Sequence, residues 1–200
     1  FRYLHTQEDK SPLESHLLLH LSSGMVAAVA AVHSMGVAHR DIKSPNFLMQ
    51  EPKPGSPFPD PIICDFGMSR SMEDSKFDAI KGYSPRYASP EVFARIHLRN
   101  ASNTVEDDKM ADVYSLGVVL WETMTRTVPW DGVPNEEIEL HVRGGARVPQ
   151  LEVEETDRIL MLLNGFVDAM LHSSPERRPS ILSINAKFAQ FIRSLLDEDF

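Results

Sequence analysis

The sequence predicts a mainly α-helical domain of 200 residues with one small β element that carries its chemistry. Three observations lead there. Apolar residues recur at helical spacing over Leu17–Val32, Ile159–Met170 and Ile181–Leu195. The stretch Asp112–Met124 is apolar nearly all round, which marks a helix buried on most sides. Only Phe47-Leu48-Met49 and Ile62-Ile63-Cys64 have the length and composition of a strand pair.

In chain order, Ser11-Pro12-Leu13-Glu14 reads as a helix start, with a serine N-cap, proline at the first helical position and glutamate three residues on. Leu17, Leu18, Leu21, Met25, Ala28, Val29 and Val32 continue that helix, and Gly36 ends it. The two strand-like runs flank the Pro/Gly-rich stretch Glu51–Pro61, most simply a solvent-exposed insertion. From Asp65 to Glu91 little apolar periodicity remains, as expected of a mobile surface segment. The buried helix of Val113, Leu116, Val118, Val119, Leu120 and Trp121 follows, then two amphipathic helices separated by Ser174–Pro179.

Composition narrows the function classes. Hydrophobic residues at 42% and charged residues at 24% are those of an ordinary globular chain with a real core. A net charge of -9 argues against general binding of nucleic acid or anionic membranes. The apolar run Met25–Val32 is too short and alanine-rich for a bilayer span. A single cysteine, Cys64, excludes an internal disulfide framework and suits a reducing compartment, so cytoplasmic is the default address.

The chemistry-bearing residues stand in two short stretches, His39-Arg40-Asp41-Ile42-Lys43-Ser44-Pro45-Asn46 and Asp65-Phe66-Gly67. Phosphoryl transfer from ATP needs one carboxylate at the attacking hydroxyl, oxygen ligands for Mg2+ and a cation near the transferring phosphate. Asp41 is the candidate base, Lys43 the cation, Asn46 an amide-oxygen metal ligand and Asp65 the main metal ligand. Either motif alone is a chance match; both in this order, each after a short apolar run, are a strong signal.

With these motifs the chain resembles the large C-terminal lobe of a eukaryotic protein kinase. Lys43 in its loop resembles serine/threonine-directed members, while Asp112–Glu122, ending Val-Val-Leu-Trp-Glu, is similar to tyrosine kinases and the tyrosine-kinase-like group. The resemblance implies a partial domain spanning residues 1–200, beginning near the helix after the interlobe hinge. No GxGxxG and no lysine-bearing strand precede residue 39, so the N-terminal lobe is expected to be absent from this chain. It implies ATP and Mg2+ as cofactors, protein substrates, the missing N-terminal lobe as a partner, and Leu48 as the floor of the adenine site, against the plainer reading of a core leucine.

Further roles follow from the same resemblance. Arg40 would meet an activation-segment phosphate on Ser69, Ser71, Ser75 or Tyr83, the alternative being a solvated arginine. Gly82–Glu91 is similar to the peptide-docking loop, with Ser84 placed to bond both Asp41 and Lys43, and with Tyr83 and Ser89 as departures from the usual pattern. Glu91 should pair with Arg178. Asp112 should hold backbone amides of the catalytic loop, with a helix N-cap as the alternative, while His39 and Phe66 are expected to pack and Cys64 to be inert.

Two functions compete on this sequence. One is a protein serine/threonine kinase of which this chain is the catalytic lobe, inactive in isolation. The other is a non-catalytic kinase-lobe scaffold that binds proteins. The four intact residues Asp41, Lys43, Asn46 and Asp65 favour the enzyme.

Overall fold

Helical spacing and caps set the elements in the computed structural model, which describes residues 2–5, 11–72, 82–97, 104–154 and 156–198. A short α1 (Arg2–His5) precedes the long α2 (Ser15–Ser34). Two-residue β1 (Val37–Ala38) leads into the His39–Asn46 loop, and β2 (Phe47–Gln50) and β3 (Asp60–Ile63) form a hairpin. Strand β4 (Arg70–Ser71) returns to pair with β1. Then come α3 (Pro90–His97), α4 (Val105–Thr125), α5 (Asn135–Arg143), α6 (Arg158–Met170) and α7 (Ile181–Glu198). The single β element expected from sequence is thus two separate antiparallel ribbons, β1–β4 and β2–β3. Cys64 lies just past the end of β3.

Helix α2 does not start at Ser11. Its N-cap is Glu14, whose side chain accepts from the His16 amide at 3.2 Å. A tertiary contact decides this: the Arg126 guanidinium donates to the Ser11 carbonyl at 2.8 Å and to the Leu4 carbonyl at 3.2 Å. That holds residues 11–14 out of the helix, so the Glu14 carbonyl, accepting from Leu18 at 2.9 Å, takes the first helical bond. The far end is as expected. Gly36 adopts φ +74°, the left-handed conformation glycine reaches at least cost, and its amide donates to the His33 carbonyl at 3.1 Å.

Helix α4 also begins earlier than the apolar run suggests. Thr104 is its N-cap, and a reciprocal capping box with Asp107 closes both backbone amides. Asp112 therefore lies two turns inside the helix, which removes the N-cap alternative. In the described parts of the stretch 65–91, residues 65–72 and 82–91, the structure is more regular than expected, with a 3-10 turn at Phe66–Met68, strand β4 and a second 3-10 turn at Pro85–Tyr87 before α3. Helices α3 and α5 are short and lacked a visible period in the sequence.

The main core surrounds α4. Its Val113, Leu116, Val119 and Leu120 are fully buried in one cluster with Leu21, Val26 and Val29 of α2 and Leu163 and Met170 of α6, and Ile184 and Phe188 of α7 join that cluster through α2. Rings of Phe166 and Phe188 stack at 4.9 Å. A smaller cluster of Ala88, Phe93, Ile138 and Val142 joins α3 to α5. Among the described residues α2 alone is long and apolar enough to cross a membrane, and burial of half of that window in this core accounts for its apolarity. Gly24 of α2 lies against β3: a Cβ there would meet Pro61 Cγ at 2.6 Å, so the hairpin seats directly on the helix backbone.

Candidate active site

The catalytic-loop candidates converge. Lys43 Nζ donates to Asp41 Oδ2 at 2.6 Å, and the Ser84 hydroxyl donates to Asp41 Oδ1 at 2.9 Å while accepting from Lys43 at 3.3 Å. The Asn46 amide nitrogen donates to the Asp41 carbonyl at 2.8 Å and to its carboxylate at 3.2 Å. Both acceptors demand the NH2 end, so the Asn46 side-chain Oδ1, distinct from its backbone carbonyl, is the atom left for a ligand. Ser84 reaches both partners, as the sequence led one to expect.

This loop is strained and held. Arg40 has φ +68°, a left-handed conformation costing a non-glycine residue on the order of 1–3 kcal/mol. Its amide donates to Asp112 Oδ1 at 2.8 Å, and the His39 amide donates to Asp112 Oδ2 at 2.7 Å. The buried His33 ring adds a third bond, Nε2 donating to Asp112 Oδ2 at 3.0 Å. One buried carboxylate on α4 thereby fixes consecutive backbone amides just before Asp41.

Asp65 sits on an adjoining turn, exposed and itself left-handed at φ +66°, its carboxylate accepting from Gly67 at 3.4 Å. The two loops are tied through Cys64. Its amide donates to the Asn46 carbonyl at 2.9 Å, and its own carbonyl accepts from His39 Nε2 at 3.0 Å. His39 is fully buried and its ring lies 4.9 Å from that of Phe66. The Cys64 thiol donates to the Asn46 carbonyl at 3.3 Å.

Leu48 is 56% exposed, so the core-leucine alternative is excluded. It pairs across the hairpin with Ile62, also exposed, and directly opposed residues share one face of a ribbon. Asn46 and Asp65 present two side-chain oxygens on neighbouring loops. Among the described residues no three His, Cys, Asp or Glu side chains are gathered to hold a metal by themselves. That donor set suits Mg2+, which is usually held by one or two carboxylates together with waters and substrate phosphates.

Glu91 and Arg178 form the expected pair, bidentate at 2.6 and 2.9 Å. The guanidinium also donates to the carbonyls of His172, Met110 and Ser173. It lies 5.0 Å above the Tyr114 ring. Arg40 is not solvated: its Nε lies 3.8 Å from the Asp108 carboxylate, and only 8% of its side chain is exposed. Of the proposed acceptors, the Ser69 hydroxyl donates to the Phe66 carbonyl at 2.7 Å, Ser71 is half-buried, Tyr83 packs edge-on to Phe93, and Ser75 lies outside the described residues.

Sequence reasoning missed several residues here. Asp108, Arg70 and Arg95 form an ionic cluster behind the loop. A second network runs from Ser44 to Tyr87, whose hydroxyl donates to Glu122 at 2.9 Å, and Glu122 also accepts from His5 at 2.7 Å. Burial, reinforced by the Glu122 charge, pushes the Tyr87 hydroxyl pKa well above its ordinary value. The one available signal was Glu122 itself, a charge directly after the apolar run Val118–Trp121.

A family model for the protein kinase domain matches residues 2–190. The chain is 32% identical over 181 residues to a Drosophila melanogaster protein described as mitogen-activated protein kinase kinase kinase 7-like, covering 86% of this chain and 41% of that protein. It is 28% identical over 202 residues to serine/threonine-protein kinase CTR1 of Arabidopsis thaliana, covering 97% of this chain and 22% of that protein. Against inactive tyrosine-protein kinase kin-32 of Caenorhabditis elegans the identity is 29% over 187 residues, covering 92% and 19%. The chain spans less than half the length of each of these relatives.

Proposed function

Because this chain belongs to the protein kinase domain family, we propose that it is the C-terminal, catalytic lobe of a serine/threonine-directed kinase of the tyrosine-kinase-like group. In this reading it transfers the γ-phosphate of ATP to hydroxyls on protein substrates. The observation that carries the proposal is the Asp41–Ser84–Lys43 arrangement, an alcohol hydroxyl held between a carboxylate that accepts its hydrogen and an ammonium that donates to its oxygen. A substrate hydroxyl needs the same surroundings. Kinases directed at serine and threonine among the relatives support the acceptor class.

In the reaction the substrate oxygen forms a bond to the γ-phosphorus as the bond from that phosphorus to the β,γ-bridging oxygen breaks, and ADP leaves. Asp41 orients the hydroxyl and takes its proton. Lys43 offsets charge on the transferring group, and Asp112 keeps the loop from relaxing, so little reorganisation is needed at the moment of reaction. Asn46 and Asp65 would hold Mg2+, which when bound neutralises the phosphates. Leu48 would lie under the adenine ring.

A second reading, a non-catalytic scaffold, is favoured by one observation. Met35, Leu48, Ile62, Phe66 and Met72 are all exposed apolar side chains around the two ribbons, and such surface tends to seek a protein partner. One of the relatives is described as inactive. Changing Asp41 to Asn in the full-length parent protein separates the readings. Phosphate transfer from radiolabelled ATP to a serine peptide should fall by at least roughly a thousandfold with folding intact. Turnover equal to that of the unaltered protein would remove Asp41 from the chemistry.

A further inference from the structure

Three guanidinium groups from three separate elements meet at one carboxylate. Arg40 belongs to the catalytic loop, Arg70 to β4 and Arg95 to α3. Asp108, in the first turn of α4, is 3% exposed. Its Oδ1 accepts from Arg95 at 2.7 Å and its Oδ2 from Arg70 at 3.4 Å, with Arg40 Nε at 3.8 Å. The arginine side chains are themselves largely buried, at 8, 11 and 12% exposure.

Cations drawn together away from water repel strongly, and a buried carboxylate with two oxygens is the kind of group that can hold several at once. Asp108 is therefore a junction. Through Arg95 it reaches the helix that follows Ser84, through Arg70 the strand that follows Asp65, and through Arg40 the residue next to Asp41. A cavity of about 30 Å³ lined by Arg40, Asp41, Ser84, Arg95 and Asp108 lies beside it, room for little more than water.

We infer that Asp108 is a positioning residue: a fixed carboxylate that locks the Asp41 loop in its working geometry through Arg40. The strained φ of Arg40 has two restraints, its amide on Asp112 and its side chain facing Asp108. Removing the second lets the side chain swing to solvent and the strain relax, which shifts Asp41 relative to Ser84 and Lys43. The catalytic consequence rests on the kinase reading above; the junction itself does not.

The experiment compares the unaltered full-length parent protein with its Asp108→Asn, Asp108→Glu and Asp41→Asn variants. Asparagine keeps the shape and removes the charge. It should lower kcat by roughly ten- to hundredfold while KM for the peptide changes by less than about twofold, and glutamate should restore part of the loss. A wild-type kcat in Asp108→Asn overturns the proposal.

If the unaltered protein shows no Asp41-dependent turnover, it is the kinase reading that fails. The junction is then decided by a thermal double-mutant cycle of Asp108→Asn with Arg95→Gln. Non-additive losses in Tm uphold it, and additive losses overturn it.

Discussion

Asp112 and Asp108 stand one turn apart on α4, both almost fully buried, and hold different kinds of partner. Asp112 binds backbone amides of His39 and Arg40, whose positions are set by the chain and cannot move elsewhere. Asp108 binds the tips of three long side chains, each able to swing away if released. The first arrangement defines a local backbone shape. The second defines how three elements lie relative to one another. A carboxylate on backbone is thus mainly a determinant of stability, whereas one on arginines is mainly a determinant of alignment.

Substitution to alanine breaks this comparison most sharply. Asp112→Ala leaves two buried backbone donors and the His33 N–H without their acceptor, and should cost about 3–5 kcal/mol in denaturant unfolding. Asp108→Ala should cost less, about 1–3 kcal/mol, because its arginines can reach water. Equal losses at the two sites would erase the distinction.

Tyr114, two residues beyond Asp112, extends it to a third kind of partner, its aromatic face lying 5.0 Å from the guanidinium of Arg178, which Glu91 also pairs. Burial raises the Tyr114 hydroxyl to about 12. An unfolded tyrosine ionises near pH 10, so the stability linked to this group is complete below pH 10 and is lost as pH rises from 10 to about 12. The loss should approach about 2–3 kcal/mol, and Tyr114→Phe, measured by denaturant unfolding over that range, should lack it. An alkaline loss identical in the variant would assign the titration elsewhere.

The smallest effect belongs to a half-buried carboxylate whose partner is exposed. Lys53 donates to Asp60 at 2.6 Å and holds its pKa below the ordinary value, a contribution present near neutral pH and lost on acidification below the usual aspartate range. Because Lys53 faces solvent, Lys53→Met should leave Tm unchanged at pH 7 and at pH 3. A pH-dependent difference would show that exposure alone does not set the ranking.

The parts legible in sequence are those that local chemistry decides. Asp41, Lys43, Asn46 and Ser84 fall together as expected, and Gly36 ends α2. The same reading lost Asp108, Arg70 and Arg95, because neither spacing nor composition says that residues so far apart in the chain share one pocket. It also misplaced the start of α2, where the Ser11 capping pattern is locally sound but Arg126 claims its carbonyl from more than a hundred residues away. At α4 the signal was present in Thr104 and Asp107, and the apolar run beginning at Val113 obscured it. Short helices such as α3 and α5 complete too few turns for periodicity to emerge.

The Glu91–Arg178 pair joins residues 87 positions apart, and this dictates an order of events during synthesis. Glu91 leaves the ribosome long before its partner exists, so α3 has its Arg95–Asp108 pair but not this second anchor until the turn before α7 has emerged. Of the residues that shape the Asp41 loop, Ser84, Asp108 and Asp112 are all made after Asp65, and the Arg178 clamp on Glu91 comes later still. A nascent chain interrupted before residue 178 therefore carries the Asp41 loop and its neighbours without that clamp.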